Sequence, residues 1–286
     1  MPGVQDRVIV VTGAGGGLGR HYALTLAKEG ACVVVNDLGG ARDGSGGGHS
    51  MADDVVAEIK AAGGRAVANY DSVADPDAAG RIVTTAVEEF GRIDGIVSNA
   101  GILRDGTFHK MTFDAWDAVL KVHLYGGYNV IRAAWPLFRE QGFGRVVVAT
   151  STSGLFGNFG QSNYGAAKLG LVGLINTLAR EGAKYNIKAN AVAPIAATRM
   201  TEDIMPPEVL ARLTPEYVAP VVGYLCTEEV PDSASVFIVG GGKVQRTALF
   251  QNEGVTFDSI PSVDDIAAQW STIDDLSAVT PASFNL

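Results

Sequence analysis

Residues 7–30 read RVIVVTGAGGGLGRHYALTLAKEG, and this stretch decides the fold class. The β-branched run Val8 to Val11 predicts a buried strand, and after a glycine-rich turn an apolar periodicity predicts a helix that begins near Leu18. Such a turn presents backbone N–H groups and the positive end of the helix dipole to an anion. The stretch therefore predicts a dinucleotide-binding βαβ unit, whose glycines let the backbone approach a pyrophosphate. The predicted cofactor-binding residues of the turn are Gly13, Gly17, Leu18 and Gly19.

A second apolar run, residues 31–36, leads to Asp37. An acidic side chain at the end of this strand can accept hydrogen bonds from the ribose hydroxyls of an adenosine, and it repels the additional phosphate of NADP. The residues that follow are Leu38, Gly39 and Gly40, so no arginine stands next to Asp37 to bind such a phosphate. The pattern favours NAD. The alternative is that Asp37 only begins a loop.

Tyr164 and Lys168 lie four residues apart in QSNYGAAKLG, and Ser151 follows the apolar run VVVAT. Residues with this spacing share a helix face, so an ammonium can act on a phenol there. A free tyrosine has a pKa of about 10, and a neighbouring positive charge lowers the pKa toward a useful range for a general base. The alternative is ordinary packing on a surface helix.

The motif TGAGGGLG, the segment Ser98–Gly101 and the ordered series Ser151, Tyr164 and Lys168 resemble the short-chain dehydrogenases/reductases over roughly residues 5–245. The resemblance implies that Ser151 holds the substrate oxygen and that Tyr164 exchanges its proton. It also implies that Lys168 binds the nicotinamide ribose and lowers the pKa of the tyrosine.

The same resemblance implies further cofactor-binding positions beyond the glycine turn. Ile195 stands where glycine is more usual, in a segment whose backbone holds the nicotinamide carboxamide. Asp71 and Ser72 border the adenine in this interpretation, although an ordinary cap between a strand and a helix is the alternative. With Tyr164 and Lys168, the implied positions are Asp71, Ser72, Asn99, Ala100, Gly101, Ile195 and Thr198.

Several longer segments, among them SNAGILRD and FGNFGQSNYGAAKLGL, are similar to the (3R)-hydroxyacyl-CoA dehydrogenase units of multifunctional enzymes within that family. This likeness implies NAD-dependent oxidation of a (3R)-hydroxyacyl-CoA to a 3-ketoacyl-CoA. A 17β-hydroxysteroid substrate and a non-catalytic NAD-binding redox sensor are the alternatives. The cations available for the phosphates of CoA are Arg42, Arg104, Lys110 and Arg199.

His123 stands where the family commonly has an asparagine whose backbone carbonyl holds a water next to the lysine. A main-chain carbonyl does not depend on the side chain, so a proton relay through residue 123 can persist, and a histidine can add proton transfer of its own. Local packing is the alternative role for His123. The other histidines have no spacing typical of a metal site, and we expect no catalytic metal.

Apolar strands recur near residues 8, 33, 66, 94, 146, 189 and 236 and alternate with helical patterns. This order predicts an α/β, Rossmann-like doubly wound parallel sheet of about seven strands with helices on both faces. We expect one NAD-binding domain over residues 1–245. Residues 246–286 form a tail packed on that domain or at a dimer interface, with a helix at 263–276. Residues 198–210 are expected to form a mobile lid, in which Met200, Met205 and Leu210 either offer an apolar wall to the substrate or only pack the lid onto the body.

The composition limits the classes of partner. A formal net charge of −9 without a dense basic stripe argues against nucleic-acid binding, and the apolar stretches are too short to span a membrane. The two cysteines suit reduced, inert thiols. We therefore expect a cytoplasmic enzyme that acts on a small molecule, an acyl-CoA or a steroid, and that forms a homo-oligomer, with a dimer favoured.

Overall fold

The computed structural model describes residues 3–197, 207–210 and 212–282. Its central feature is one sheet of eight strands, with the following bounds: β1 (Val8–Thr12), β2 (Cys32–Asn36), β3 (Arg65–Asn69), β4 (Gly95–Ser98), β5 (Gly144–Ala149), β6 (Ile187–Pro194), β7 (Val236–Gly240) and β8 (Lys243–Thr247). The order is β3-β2-β1-β4-β5-β6-β7-β8, and the registered pairs from β3 to β7 are parallel. The predicted doubly wound sheet is confirmed.

The sheet has one strand more than the sequence predicted. β8 carries the polar sequence KVQRT, and four of its five residues are exposed, so it lacks the apolar run by which the other strands were found. Gly241 and Gly242, which connect it to β7, have φ angles of 56° and 79°. Two consecutive residues with positive φ are typical of a tight hairpin turn.

Ten helices occur in the described residues: α1 (Gly17–Lys28), α2 (Ser50–Ala61), α3 (Pro76–Phe90), α4 (Phe113–Leu120), α5 (Gly126–Gln141), α6 (Thr152–Phe156), α7 (Ser162–Gly182), α8 (Pro207–Leu210), α9 (Ala219–Leu225) and α10 (Val263–Ile273). A single π-helical turn, Lys121–Tyr125, joins α4 to α5. None of the described helices has the length and apolar character needed to cross a bilayer.

Two apolar cores lie on opposite faces of the sheet, because successive side chains of a strand point to opposite sides. Ile9 and Val11 of β1 belong to the core that contains α1, α2 and α9. Val8 and Val10 belong to the core that contains α3, α5 and α7. All four valine and isoleucine side chains are at most 1% exposed, so β1 is buried on both faces.

The strand order reverses at β1, which pairs with β2 on one side and with β4 on the other. The crossovers on the two sides leave in opposite directions, so a crevice opens at the carboxyl ends of β1 and β4. Thr12 ends one of these strands, and Asn99 follows the other. This crevice is where the sequence placed the site.

The chain forms two compact units, residues 1–245 and 246–286. Within the second unit, β9 (Phe250–Gln251) pairs antiparallel with β10 (Thr280–Pro281). Its helix α10 begins with a capping box, in which Ser262 and Asp265 exchange hydrogen bonds. The predicted lid residues Met200 and Met205 lie outside the described residues.

Candidate active site

The glycine turn between β1 and α1 leaves no space for side chains. Gly13 and Gly17 have φ angles of 64° and 50°, in the left-handed region that favours glycine. A Cβ on Gly19 would lie 2.1 Å from the carbonyl oxygen of Gly13. The turn is therefore drawn tightly against the first turn of α1, whose free N–H groups face the crevice.

Asp37 is fixed in this turn by both of its carboxylate oxygens. Gly15 N donates to Oδ2 at 2.8 Å, and Gly39 N donates to Oδ1 at 2.7 Å. A Cβ on Gly15 would lie 2.9 Å from the carboxyl carbon of Asp37. The sequence interpretation missed the role of Gly15, which is to let the acidic side chain reach the backbone of the phosphate turn.

Thr12 and Asn99 hold the floor of the crevice together. The Thr12 hydroxyl accepts hydrogen bonds from Asn99 N and Ala100 N, each at 3.1 Å. In return, Asn99 Nδ2 donates to the carbonyl oxygens of Thr12 and Gly13, each at 3.2 Å. The buried hydroxyl of Thr12 was not singled out from the sequence, although a polar residue that ends an apolar strand was a signal that could have found it.

A cavity of about 450 Å³ lies over this floor. It brings together most of the predicted cofactor-binding positions, namely Gly13, Gly17, Leu18, Asp37, Asp71, Ser72, Asn99, Ala100 and Gly101. Gly19 lies behind the turn, and Asp71 accepts a hydrogen bond from Arg81 Nε at 2.8 Å. Arg42 and Arg104 also line the cavity, whereas Lys110 lies in an exposed turn. The assignment of these residues to a bound cofactor stays a prediction.

Ser151, Tyr164 and Lys168 lie together at the junction of β5, α6 and α7. Ser151 is the N-cap of α6, where its Oγ accepts from Ser153 N at 3.1 Å, and its side chain also hydrogen-bonds to Tyr164. Tyr164 and Lys168 occupy the first turns of α7. α6 packs closely on α7 at Gly154, where a Cβ would lie 2.9 Å from the Cβ of Lys168. The spacing in the sequence thus brings the three side chains to one place.

Burial controls the charges of this group. It raises the pKa of Tyr164 to about 12, although the hydrogen bond from Ser151 acts to lower it. Burial also lowers the pKa of Lys168 to about 7, and Lys168 Nζ donates to the carbonyl oxygen of Ala149 at 2.5 Å. Lys168 Nζ lies 5.5 Å from the centre of the Tyr164 ring, and the expectation that it lowers the pKa of Tyr164 stays a prediction.

His123 lies within the π-helical turn and packs between the crevice and Tyr164. Its ring meets that of Tyr164 edge to face, with centroids 5.1 Å apart. Nε2 lies 3.0 Å from Ile102 N and 2.8 Å from Ile102 O, and Nδ1 is buried without a hydrogen-bond partner among the described residues. Burial, with the Lys168 charge as a lesser cause, places the pKa of His123 well below its ordinary value. His123 is therefore a neutral ring that connects Gly101–Ile102 to the tyrosine.

One predicted residue, Ile195, is not joined to this group by the described contacts. Ile195 donates from its N to the carbonyl oxygen of Val239 at 2.8 Å, which extends the pairing of β6 with β7, and it does not line the cavity. Thr198 lies outside the described residues.

Asn163, in contrast, was missed, although it stands directly before Tyr164. Its fully buried side chain accepts from Tyr164 N at 2.7 Å and donates to the carbonyl oxygens of Arg104 and Ala115. An amide side chain can both donate and accept in this way, so Asn163 fixes the first turn of α7 against the segment that follows β4.

Comparison with known proteins agrees with this geometry. The family model for the short chain dehydrogenases matches residues 7–208. A Mycobacterium tuberculosis protein named only as a short-chain type dehydrogenase/reductase is 77% identical over 286 residues, which is 100% of both chains. The peroxisomal multifunctional enzyme A of Dictyostelium discoideum is 51% identical over 281 residues, which covers 98% of this chain and 63% of that protein.

Solved structures show the same relationship. The full-length peroxisomal multifunctional enzyme type 2 of Drosophila melanogaster superposes with a TM-score of 0.83 at 37% identity, over 98% of this chain and 47% of that one. A short chain dehydrogenase from Mycobacterium avium superposes with a TM-score of 0.82 at 40% identity, over 95% and 96% of the two chains. The chain thus spans only part of the multifunctional relatives. It is an oxidoreductase, and it belongs to the short-chain dehydrogenase family.

Proposed function

We propose that this protein oxidises a (3R)-hydroxyacyl-CoA to the 3-ketoacyl-CoA with NAD as the hydride acceptor. The observation that carries the proposal is the group formed by Ser151, Tyr164 and Lys168 beside a glycine-lined crevice. The segments that match multifunctional enzymes support the choice of acyl-CoA, and so does a Mycobacterium tuberculosis hydroxyacyl-CoA dehydrogenase, 38% identical over 276 residues.

The crevice fits a dinucleotide. Added Cβ atoms at Gly13, Gly15 and Gly19 would each lie within 3.0 Å of another protein atom, so the turn keeps its tight shape only with glycine at these positions. The N-terminus of α1 suits a pyrophosphate. Asp37 supports NAD over NADP, because its carboxylate is held at the end of β2, where the additional phosphate of NADP would be repelled. NAD supplies the acceptor for the hydride.

The protein groups then account for the proton and the developing charge on oxygen. Ser151 donates a hydrogen bond to the hydroxyl oxygen of the substrate, and Tyr164 as phenolate removes the hydroxyl proton. Donors directed at a developing oxyanion typically contribute about 3 to 4 kcal/mol to catalysis in well-studied enzymes. Lys168 in its charged form favours the phenolate, and His123 holds the tyrosine ring edge-on.

We also propose that the protein acts as a homodimer through the outer faces of α5 and α7. Tyr125 precedes α5 and Tyr128 lies within it, and they are 51% and 50% exposed, while Leu169 of α7 is 48% exposed. Exposed aromatic and apolar side chains on adjoining helices are typical of a protein interface. Sedimentation of the Tyr128→Asp variant tests the assignment, because the variant is expected to be a monomer. A wild-type protein that is itself monomeric would contradict it.

The proposed activity is tested with a substrate series. Initial rates of NAD reduction are compared for (3R)-hydroxyacyl-CoA esters of several chain lengths, for their (3S) isomers and for estradiol, and the (3R) esters are repeated with NADP. We expect oxidation of the (3R) esters with a preference for NAD. Turnover of estradiol alone would instead assign a 17β-hydroxysteroid dehydrogenase, and binding of NAD without turnover of any substrate would assign a sensor.

A further inference from the structure

Residues 39–48, GGARDGSGGG, form a loop between β2 and α2 that we call the strap. Six of its ten residues are glycine, yet hydrogen bonds give it a defined shape. Gly48 N donates to the carbonyl oxygen of Leu38 at 3.0 Å and closes its base. At its tip, Asp43 Oδ1 accepts from Ser45 N at 2.9 Å and from Ser45 Oγ at 2.7 Å. This is the hydrogen bonding of an Asx-turn, which fixes the backbone of the tip.

The tip of the strap crosses the crevice and binds the segment that follows β4. Leu103 N donates to the carbonyl oxygen of Arg42 at 3.0 Å, and Arg104 Nε donates to the carbonyl oxygen of Asp43 at 2.9 Å. A Cβ on Gly44 would lie 3.1 Å from Ile102, so the two segments are also in close apolar contact. Arg104 thus contributes a side-chain hydrogen bond between them.

The strap is one wall of the cavity. Gly40, Ala41, Arg42 and Gly44 line it opposite the glycine turn, together with Arg104. A ligand held at the glycine turn is therefore enclosed between the turn and the strap. The ligand can leave on this side only after the hydrogen bonds between the strap and residues 103–104 have broken.

Arg104 is itself held in place by residues near the start of α7, the helix that carries Tyr164 and Lys168. Its carbonyl oxygen accepts from Asn163 Nδ2 at 3.0 Å, and the neighbouring Asp105 accepts from Gln161 Nε2 at 2.7 Å. Asn163 also fixes Tyr164 N. Arg104 is thus anchored by its backbone to the start of α7, and only its guanidinium reaches the strap.

We propose that Arg104 is a positioning residue that holds the strap across the bound coenzyme and so sets the rate at which coenzyme leaves. The inference rests on the proposed function only for the identity of the coenzyme. Arg104 acts on the strap and takes no part in the transfer of hydride or proton. Its loss is therefore expected to raise the KM for coenzyme more than it lowers kcat at saturating coenzyme.

The experiment compares Arg104→Ala, a deletion of residues 40–47, and the two combined. The deletion joins Gly39 directly to Gly48. These two residues are already in close contact, since a Cβ on Gly39 would lie 2.1 Å from the carbonyl oxygen of Gly48, so we expect the shortened loop to close without moving β2 or α2. Dissociation constants and dissociation rates of NADH and NADPH are measured by stopped-flow fluorescence. Arg180→Ala, an exposed arginine near the end of α7, is the matched control.

We expect Arg104→Ala to weaken NADH binding by about 5- to 20-fold, mainly through faster dissociation, as for loss of one hydrogen bond to a charged donor. The deletion is expected to weaken binding by at least as much. Because both changes break the same contact, Arg104→Ala is expected to have no further effect in the deletion protein. Arg180→Ala is expected to bind like the wild type.

Two results would overturn the proposal. One is unchanged NADH dissociation in Arg104→Ala. The other is an equal effect of Arg104→Ala with and without the strap, which would show that the guanidinium contacts the coenzyme directly. If the deletion protein does not fold, Gly44→Ala replaces it in the comparison, since its Cβ would press on Ile102 at a φ of 85°. A wild type that binds neither dinucleotide would contradict the proposed function instead.

Discussion

The candidate site has two halves, the glycine-lined crevice and the group formed by Ser151, Tyr164 and Lys168, and they are built from different parts of the chain. The half around the glycine turn is made of backbone, with Gly13 and Gly19 packed so closely that a single added carbon collides. The half around Tyr164 and Lys168 is made of side chains whose pKa values burial shifts, upward for the tyrosine and downward for the lysine. The first half is thus sensitive to added volume, and the second is sensitive to a lost or altered polar group.

The halves also differ in how completely their polar groups are paired. Around the turn, the side chains of Thr12, Asp37 and Asn99 are each hydrogen-bonded to backbone groups. In the other half, Nδ1 of His123 is buried without a partner in the part of the chain that the structure describes. A buried polar atom without a partner remains available to hydrogen-bond to a ligand or a water, and such atoms are common in active sites.

The largest expected effect belongs to the side-chain half. Tyr164→Phe removes the proton acceptor while it keeps the ring packed on His123, so kcat is expected to fall by about 10²- to 10⁴-fold with coenzyme binding retained. Steady-state kinetics and NADH fluorescence measure the two quantities. Tyr185→Phe is the control, because this half-buried tyrosine lies in the turn that follows α7 and accepts a hydrogen bond from Arg139; the variant should turn over substrate like the wild type. Similar turnover in Tyr164→Phe and the wild type would refute the mechanism.

The backbone half is tested next by adding one carbon. Gly19→Ala would place Cβ 2.1 Å from the carbonyl oxygen of Gly13, so the turn must shift, and NADH binding is expected to weaken roughly 10- to 100-fold. Gly173→Ala is the control, because a Cβ there meets nothing within 4 Å. Fluorescence titration gives the affinities. Equal NADH affinities in the two variants would show that the glycine turn does not bind the coenzyme.

Much of the backbone half could be predicted from the sequence, since strands such as β1 and β2 are continuous β-branched runs and the glycine spacing is local. What could not be predicted depends on contacts between distant segments. Nothing near Arg104 in the sequence indicates that it binds the strap about sixty residues earlier, at Asp43. The charge state of Lys168 also escaped prediction, because its pKa is set by burial under residues far away in the chain.

A smaller effect is expected at the edge of the backbone half. Asp37→Ser removes the carboxylate that stands against the additional phosphate of NADP, so the ratio of kcat/KM for NAD to that for NADP is expected to fall by about 10-fold or more. Parallel initial rates with both coenzymes measure the ratio. Asp54→Ser, at an exposed position on α2, is the control. An unchanged ratio in Asp37→Ser would show that other residues select the coenzyme.

The smallest expected effect concerns stability and the charge of Lys168. The folded pKa of about 7 lies below the ordinary lysine value, so between these pH values the unfolded chain binds a proton that the folded chain lacks. The free energy of unfolding should therefore rise with pH by about 1.4 kcal/mol per pH unit across that range, relative to Lys168→Met.

Urea unfolding at about pH 8 and about pH 9 measures this slope. The raised pKa of Tyr164, about 12, places its titration outside this interval. Lys60→Met, on the exposed face of α2, should keep the wild-type slope. If Lys168→Met also keeps the wild-type slope of unfolding free energy against pH, the ammonium of Lys168 is not desolvated in the folded protein.

The central claim is that Ser151 and Tyr164 act together on one substrate oxygen beside the coenzyme. A crystal structure of the protein with NAD and a 3-ketoacyl-CoA tests it most directly. The account predicts the keto oxygen within about 3.2 Å of both Ser151 Oγ and Tyr164 Oη. A keto oxygen bound away from both hydroxyls, with coenzyme in the glycine-lined crevice, would contradict it.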